Sequence, residues 1–405
     1  MVSSTGSILS LRSSQDNSLL MGANAKSCTV PETTHCRGTW KPVWKHFIHS
    51  FQNLAAGIFQ ALDADGNPHP LAGQRVHPRG YRFFIWVIQG DHEFFSNTLG
   101  LPHWRNNKLC WDCDTDITNE GTTWINLSNP GWTLKTAQEH LDTPPSHEVF
   151  TAPGVSTMMV CHDALHVMFN HGILSHFLGS ILHLWCFHGP GRQTVAPATR
   201  LGIVFEKIQQ FYTMAETDCR TRLVNLKLSM FCQEKKPHVD FPALKCKGGE
   251  TKHLLPAMVW CMSLMYDGSE LHDKIMAGLI AINKFVHVMV NADWVPTPRE
   301  ADRLVKYAKR FLTAYDWLED WAIANERMLF HAVPKFHMFD HLAYGARFLN
   351  PTASWCFKAE DYVGKMSKMG ASSVFGTKAT KLSIKMMEKN RFMMHFRWTR
   401  PLVEA

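Results

Sequence analysis

The chain has 405 residues, of which 45% are hydrophobic and 19% charged, with 14 tryptophans and a formal net charge of +7. This composition supplies ample apolar surface for a core and excludes an intrinsically disordered protein. No stretch approaches the roughly eighteen uncharged apolar residues of a transmembrane helix, so no membrane partner is expected. The N-terminus has no basic start followed by an apolar core, so no secretory signal is expected either.

The front of the chain is predicted to be mixed in structure. Residues 1–42 form a leader, expected to be poorly ordered, whose first 25 residues are Ser-rich and low in hydrophobicity. Residues 43–62 are rich in apolar residues and predict one or two strands, whereas 81–89 combine aromatic and β-branched residues, typical of a buried strand. Gly90 then allows the strand end to turn, so that Asp91 projects from its tip. Between the strands, residues 62–68 predict a polar turn.

The remainder of the chain is predicted to be helical after a long loop. Residues 114–157 are rich in Thr, Asn, Pro and Gly and predict that loop, with one short helix. From about residue 158 the apolar spacing becomes helical until Gly189-Pro190-Gly191, and 200–232, 268–291 and 377–397 also predict helices. Thr297-Pro-Arg-Glu300 is a helix start with capping threonine, first-position proline and glutamate three residues on, and its helix is expected to reach about Leu329.

Two pairs of potential metal ligands lie far apart in the sequence. Cys110 and Cys113 form a C-x-x-C pair, and His337 and His341 lie one helical turn apart, so that both imidazoles can face one ion. Together they complete a Cys2His2 set suited to structural Zn²⁺. Two alternatives remain open: a plain pair of thiols near a turn, or replacement of the histidines by Cys28 and Cys36. Eleven cysteines, an odd count without regular spacing, favour reduced thiols over disulfides.

The order of several short segments resembles the catalytic core of cut-and-paste DNA transposases. Along the chain come Asp91, the pair Cys110 and Cys113, Asp163 to His166, the pair His337 and His341, and Trp355-Cys-Phe-Lys-Ala-Glu-Asp-Tyr-Val-Gly364 with Glu360. This order is similar to that of the CACTA-like group within the DDE/RNase H-like superfamily. The last segment is similar to the group's Trp-x-x-x-x-Glu-Arg-Tyr-x-Gly. The resemblance covers roughly residues 45 to 400.

The resemblance implies a fold and an activity. The implied fold is α/β and helix-rich overall, with an incomplete RNase H-like core and a large, mainly helical insertion. Residues 43–113 would form the first part of the core, residues 158–330 the insertion, and residues 331–400 the C-terminal helices. Asp91 and Glu360 are implied as catalytic ligands of Mg²⁺ or Mn²⁺, cleaving DNA phosphodiesters and transferring strands. Zinc at the Cys2His2 set would fasten the insertion to the core. Asp163 and His166 would orient the DNA or the active-site helix. The expected partner is DNA, and the expected location is the nucleus.

One departure from the family pattern concerns its first catalytic aspartate. Upstream of Asp91 the chain offers only Asp16 in the leader and Asp63 and Asp65 in the polar turn. A two-metal centre needs acids on both sides of the scissile phosphate to hold ions about 4 Å apart. The chain is therefore expected to be an N-terminally truncated or decayed copy, and its enzymatic activity is left open.

A basic segment follows Glu360. From Lys365 to Arg400 there are nine lysines or arginines and one acid, Glu388. Such a segment is suited to phosphate contacts along DNA, with a solvated helix face as the alternative. The predicted DNA-binding residues are Lys365, Lys368, Lys378, Lys381 and Lys385.

Two other functional classes remain open. A non-catalytic, domesticated DNA-binding relic would keep the fold and the zinc site without strand transfer. Alternatively, His162-Asp163 is similar to the His-Asp doublet of metal-dependent phosphohydrolases, which also need an upstream histidine on a helix. His140 and His147 lie upstream, but in loop-like sequence.

Overall fold

The computed structural model of the protein describes residues 40–188, 194–214 and 221–399. Within these ranges the chain is helix-rich, and its β pairing consists of isolated bridges. The predicted helical character is therefore confirmed, whereas an RNase H-like sheet is not shown. Asp16, Cys28, Cys36 and all but the last three residues of the predicted leader lie outside the described residues.

The described residues form eleven α-helices. They are α1 (Trp40–Ala56), α2 (His92–Asn97), α3 (Ala137–Asp142), α4 (Ile173–Phe187), α5 (Pro197–Met214), α6 (Gly248–Leu264), α7 (Glu270–Asn291), α8 (Pro298–Ala324), α9 (Pro334–Gly345), α10 (Phe357–Val374) and α11 (Ala379–Thr399). A single π-helical turn, Leu165–Phe169, precedes α4. The predicted long loop is confirmed, since between 114 and 157 only α3 and two short 3-10 turns interrupt irregular chain.

The two strand predictions are wrong. Residues 40–56 form α1, in which Trp44, Phe47, Ile48 and Phe51 recur at helical spacing. The apolar richness of residues 43–62 had favoured a strand. Residues 81–89 lie outside any strand, and Trp86 is 72% exposed, so this segment is not buried either. Its one β feature is a parallel bridge between Ile88 and Val160.

Most of the predicted helices are present, but several of their boundaries differ from the prediction. Those for 268–291, 297–329 and 377–397 are confirmed by α7, α8 and α11. The prediction for 200–232 is correct only for its first part, because α5 ends at Met214. Helix α6 was not predicted, and it contains Pro256, a residue that normally argues against a helix interior. The polar turn is confirmed, with Asp63 Oδ1 accepting the amides of Asp65 at 2.9 Å and Asn67 at 2.8 Å.

The chain divides into two compact units. The smaller contains described residues 40–85, 151–154 and 357–399, and thus α1, α10 and α11. The larger contains the described parts of 86–150 and 155–356, with α2 to α9. In the smaller unit α10 packs against α11, and in the larger unit the most extensive helix pair is α7 with α8.

The core of the larger unit is aromatic. Phe177 of α4 lies 5.3 Å from Phe311 of α8, and Tyr315 of α8 lies 4.1 Å from Phe336 of α9, measured between ring centroids. All four are fully buried, and burying one such side chain contributes about 1.5–3 kcal/mol. Gly278 of α7 permits this packing, because a Cβ there would lie 2.9 Å from Phe177 Cζ. This core fixes α9, and therefore the orientation of its histidines.

The predicted helix start at Thr297 is confirmed as a capping box. Thr297 Oγ1 accepts the Glu300 amide at 3.3 Å, and the Glu300 carboxylate accepts the Thr297 amide at 2.8 Å. We expect Thr297→Ala to lower the free energy of unfolding by about 1 kcal/mol, because an amide at the helix start loses its acceptor. Urea denaturation followed by circular dichroism measures this change.

Thr313→Ala is the matched control, because Thr313 lies exposed in the middle of the same helix. Alanine has the higher helix propensity, so this change should be neutral or slightly stabilising. Equal destabilisation by both substitutions would contradict the role given to the cap.

Candidate metal centre

The Cys2His2 cluster joins a turn to a helix within the larger unit. Cys110 and Cys113 lie on a turn in which the Asp112 amide donates to Cys110 Sγ at 3.3 Å. Cys113 also forms an antiparallel bridge with Leu134 in the long loop. His337 and His341 lie on α9, which begins with proline at its first turn. Because residues four apart share one helix face, both rings point to the same side.

The four side chains converge as predicted. Their ligand atoms all lie within 4.8 Å of one another, although Cys113 and His337 are 224 residues apart. Cys110 Sγ lies 3.4 Å from His341 Nε2, Cys113 Sγ lies 3.4 Å from His337 Nε2, and the two Nε2 atoms are 3.0 Å apart. With Zn–S of about 2.3 Å and Zn–N of about 2.0 Å, a tetrahedral site requires S···N of about 3.5 Å and N···N of about 3.3 Å. The cluster fits a zinc ion.

The environment of the cluster suits a structural site. All four side chains are buried, with at most 5% of any residue exposed. Burial raises the pKa of the Cys110 thiol to about 11, and burial lowers the pKa of His337 well below its usual range. Without an ion the thiol therefore stays protonated and the His337 ring neutral at pH 7. A bound zinc ion would supply the positive charge that stabilises a thiolate there, with release of a proton.

A set of neighbouring side chains surrounds the four ligands. His162 Nε2 lies 3.0 Å from Asp112 Oδ2, and the His162 ring stacks on Trp111 at 4.4 Å. The Trp132 ring from the long loop lies 4.6 Å from that of His341 and 5.2 Å from that of His337. Sequence reasoning missed the roles of Asp112 and Trp132. Only the position of Asp112 inside the C-x-x-C pair pointed to it, and nothing in the sequence pointed to Trp132.

Asp163 and His166, predicted as supporting residues, contact each other and nearby backbone amides. Asp163 is buried, and its Oδ1 accepts the amides of Leu165 at 2.8 Å and Cys356 at 2.9 Å. Its Oδ2 pairs with His166 Nδ1. Cys356 comes directly before α10, which carries Glu360. Asp163 thus fixes the backbone of the segment that leads into that helix, and neither residue belongs to a candidate metal group in the described chain.

The predicted catalytic acids lie in different units, Asp91 in the larger and Glu360 in the smaller. Asp91 does not end a strand; its carboxylate caps the start of α2, accepting the Phe94 amide at 2.7 Å. Glu360 lies on a helix, as predicted, and is exposed in the first turn of α10. In the part of the chain that the structure describes, neither acid belongs to a group of three or more potential metal ligands. A magnesium or manganese site is therefore not shown.

The predicted DNA-binding lysines lie on or beside α10 and α11 of the smaller unit. Lys365 and Lys368 are exposed on α10, while Lys378 precedes α11 and Lys381 and Lys385 lie on it. A groove of about 720 Å³ between these helices is lined by Lys365, Lys368, Met369, Ser372, Glu388, Lys389, Phe392 and Met393. Three of the eight lining residues are lysines and one is acidic, so the groove carries positive charge.

Comparison with known protein families, with curated proteins and with solved structures gives no match for this chain. No helix among the described residues is long and apolar enough to cross a bilayer. The geometry of the side chains is therefore the basis for any functional conclusion.

We expect Cys113→Ser to abolish one equivalent of tightly bound zinc per chain, because a serine hydroxyl is a poor replacement for a thiolate ligand. A strong chelator should lower the melting temperature of the wild-type protein by more than that of the variant, since binding energy at a structural site is folding energy. Atomic absorption and thermal denaturation measure the two effects.

Cys161→Ser is the control, since Cys161 is adjacent to His162 but outside the Cys2His2 cluster. It should keep the full zinc content and the full response to the chelator. Equal zinc content in Cys113→Ser and the wild-type protein would show that the cluster does not bind the ion.

Proposed function

We propose that the protein is a transposase-derived DNA-binding protein whose Cys2His2 site holds a structural zinc ion. The observation that carries the proposal is the convergence of Cys110 and Cys113 with His337 and His341. These four residues occur in the transposase-like motif order, in which the two pairs are separated by a large insertion. Their meeting in one buried cluster supports the resemblance, because unrelated motif matches have no reason to converge. Such a protein would act in the nucleus.

The DNA contact is assigned to the lysines of α10 and α11. Lys381 and Lys385 lie four residues apart on one side of α11, and Lys378 directly precedes that helix. Lys385 Nζ donates to Thr377 Oγ1 at 2.7 Å, which directs its charge towards the start of α11. Phosphate groups of a DNA backbone are the partner that such a row of cations favours.

The proposal includes catalysis only for intact relatives of this chain. In an intact relative, two Mg²⁺ or Mn²⁺ ions bound by Asp91, Glu360 and a first aspartate would promote in-line attack on phosphodiesters, within an RNase H-like core. Here Asp63 is engaged in its own turn and Asp65 pairs with Lys45 at 3.1 Å. We therefore assign DNA binding without efficient strand transfer to this chain.

The His-Asp phosphohydrolase alternative gains no support from the contacts of its residues. His162 pairs with Asp112, and Asp163 with backbone amides and His166. The buried His140 contacts Thr157 Oγ1 at 2.7 Å. Among the described residues, none of the candidate metal groups includes Asp163, His140 or His147.

We expect the protein to bind double-stranded DNA without sequence preference and with strong salt dependence. Replacing Lys378, Lys381 and Lys385 by glutamine should weaken binding and reduce the slope of log K against log salt by about 2 to 3, because about 0.9 counterion is released per phosphate contact. Fluorescence anisotropy at several salt concentrations measures this slope.

Replacing Lys274, Lys284 and Lys306 by glutamine is the matched control, because these lysines lie on α7 and α8 of the larger unit. It removes the same charge and should leave the slope close to that of the wild-type protein. Equal losses of affinity and of salt dependence in the two triple variants would show that DNA binding depends on net charge alone. That result would contradict the assignment of the DNA contact to α10 and α11.

We expect little or no strand transfer when the purified protein is mixed with terminal-repeat DNA and Mg²⁺ or Mn²⁺, because the two described aspartates before Asp91, Asp63 and Asp65, are engaged in other contacts. Gel electrophoresis of labelled DNA measures cleavage and joining. Robust cleavage that is lost in Glu360→Gln and kept in Glu388→Gln, a control on α11, would show instead that the chain is an active transposase.

A further inference from the structure

A second group of potential metal ligands lies in the larger unit and contains three histidines. His183 is on the last turns of α4, His188 directly follows that helix, and His238 lies in the segment between α5 and α6. One ring nitrogen from each lies within 4.8 Å of the other two. Their ring centroids are separated by 5.1 Å for His183–His238 and by 5.5 Å for each of the other two pairs. None of these residues belongs to the Cys2His2 cluster.

The hydrogen bond of His183 leaves the lone pair of its Nδ1 available to a metal ion. Its Nε2 lies 3.0 Å from the carbonyl oxygen of Pro237. Because a carbonyl only accepts, Nε2 must carry the hydrogen, and Nδ1 then carries the lone pair. Nδ1 is buried and has no hydrogen-bond partner, in a residue that is only 2% exposed. A buried acceptor without a partner is costly unless something occupies its lone pair.

This arrangement matches the outer contacts of known metal-binding histidines. A ligating imidazole usually donates its other ring N–H to a backbone carbonyl or carboxylate, which fixes the tautomer and the ring orientation. The carbonyl here belongs to Pro237, which immediately precedes His238, so one short segment supplies both an orienting acceptor and a ligand. Burial lowers the pKa of His183 to about 4, which keeps this ring neutral at pH 7, as a metal ligand must be.

We propose that His183, His188 and His238 form a second site, which binds a divalent late first-row transition-metal ion such as Zn²⁺. Three neutral imidazoles suit zinc, copper or nickel and are unsuited to Mg²⁺ or Ca²⁺, which prefer oxygen ligands. Three protein ligands leave one tetrahedral position open for water or another small ligand. Exposure decreases from His238 through His188 to the buried His183, so that the site opens to solvent on one side. The ion would fasten the segment around His238 to the end of α4.

The test is a metal titration of the full-length protein with Zn²⁺ alone and Co²⁺ alone. We expect two equivalents of Zn²⁺ per chain, the second weaker than the first. Co²⁺ in the Cys2His2 cluster should produce intense thiolate-to-metal charge-transfer absorption, whereas Co²⁺ at the three histidines should add only weak ligand-field bands. Equilibrium dialysis counts the equivalents, and absorption spectroscopy assigns them.

His238→Gln and His188→Gln should each weaken the second equivalent by at least about 100-fold, since loss of an outer-shell partner alone costs about 10- to 100-fold. The first equivalent and its charge-transfer absorption should persist in both variants. His238 is exposed, so its replacement should leave the fold intact. Buried His183 is left unchanged to avoid unfolding.

His287→Gln is the matched control, because His287 is an exposed histidine of α7 outside the group. It should bind both equivalents as the wild-type protein does. A single equivalent in the wild-type protein, or a second one that is insensitive to both His238→Gln and His188→Gln, would overturn the proposal. DNA binding is measured separately, so its failure leaves this outcome unaffected.

Discussion

The joining of a cysteine-bearing turn to a histidine-bearing helix is the constraint on which the larger unit depends. Bringing residues 224 apart together costs about 5 kcal/mol of chain entropy, apart from a constant term. Two or three buried aromatic side chains of the α4–α8–α9 core offset that cost, at about 1.5–3 kcal/mol each. The core thus brings the two pairs within reach, and an ion at the cluster would fix their geometry.

Loop contacts around the cluster extend this constraint to segments without regular structure. Asp114 accepts the Thr133 amide at 2.6 Å, and Trp132 packs on the rings of His337 and His341. On the other side of the cluster, Asp112 pairs with His162, whose carbonyl accepts the Ser354 hydroxyl at 2.9 Å. A long irregular loop and a distant turn are thereby held near the cluster by a few polar and aromatic contacts.

The proposed functions separate into different parts of the molecule. The Cys2His2 cluster and the three-histidine group lie in the larger unit, the first buried throughout and the second open to solvent at His238. The lysines assigned to DNA lie in the smaller unit on or beside α10 and α11, where all but the half-buried Lys385 are exposed, so that phosphate contact is possible. This separation allows each role to be removed by substitution without removing the other.

Features that depend on neighbours within about four residues could be predicted from the sequence alone. The capping box at Thr297, the turn at Asp63 and the pairing of His337 with His341 on one helix face all follow from local hydrogen bonds or helical spacing. The ligand set was also found, because ligand type and spacing are visible in a single chain. Residues 43–62 were misassigned, since a short apolar run serves a strand or a buried helix equally well.

Only the tertiary structure decided which distant groups meet. Trp132 beside the histidines, Asp112 with His162, and His183 with His238 are pairings across loops and helices for which sequence separation carries no signal. Residues 81–89 have the composition of a buried strand but no sheet to enter, so their aromatic side chains remain partly exposed. Strand formation needs a partner from elsewhere in the chain, whereas a helix supplies its own hydrogen bonds, and this difference explains which predictions succeeded.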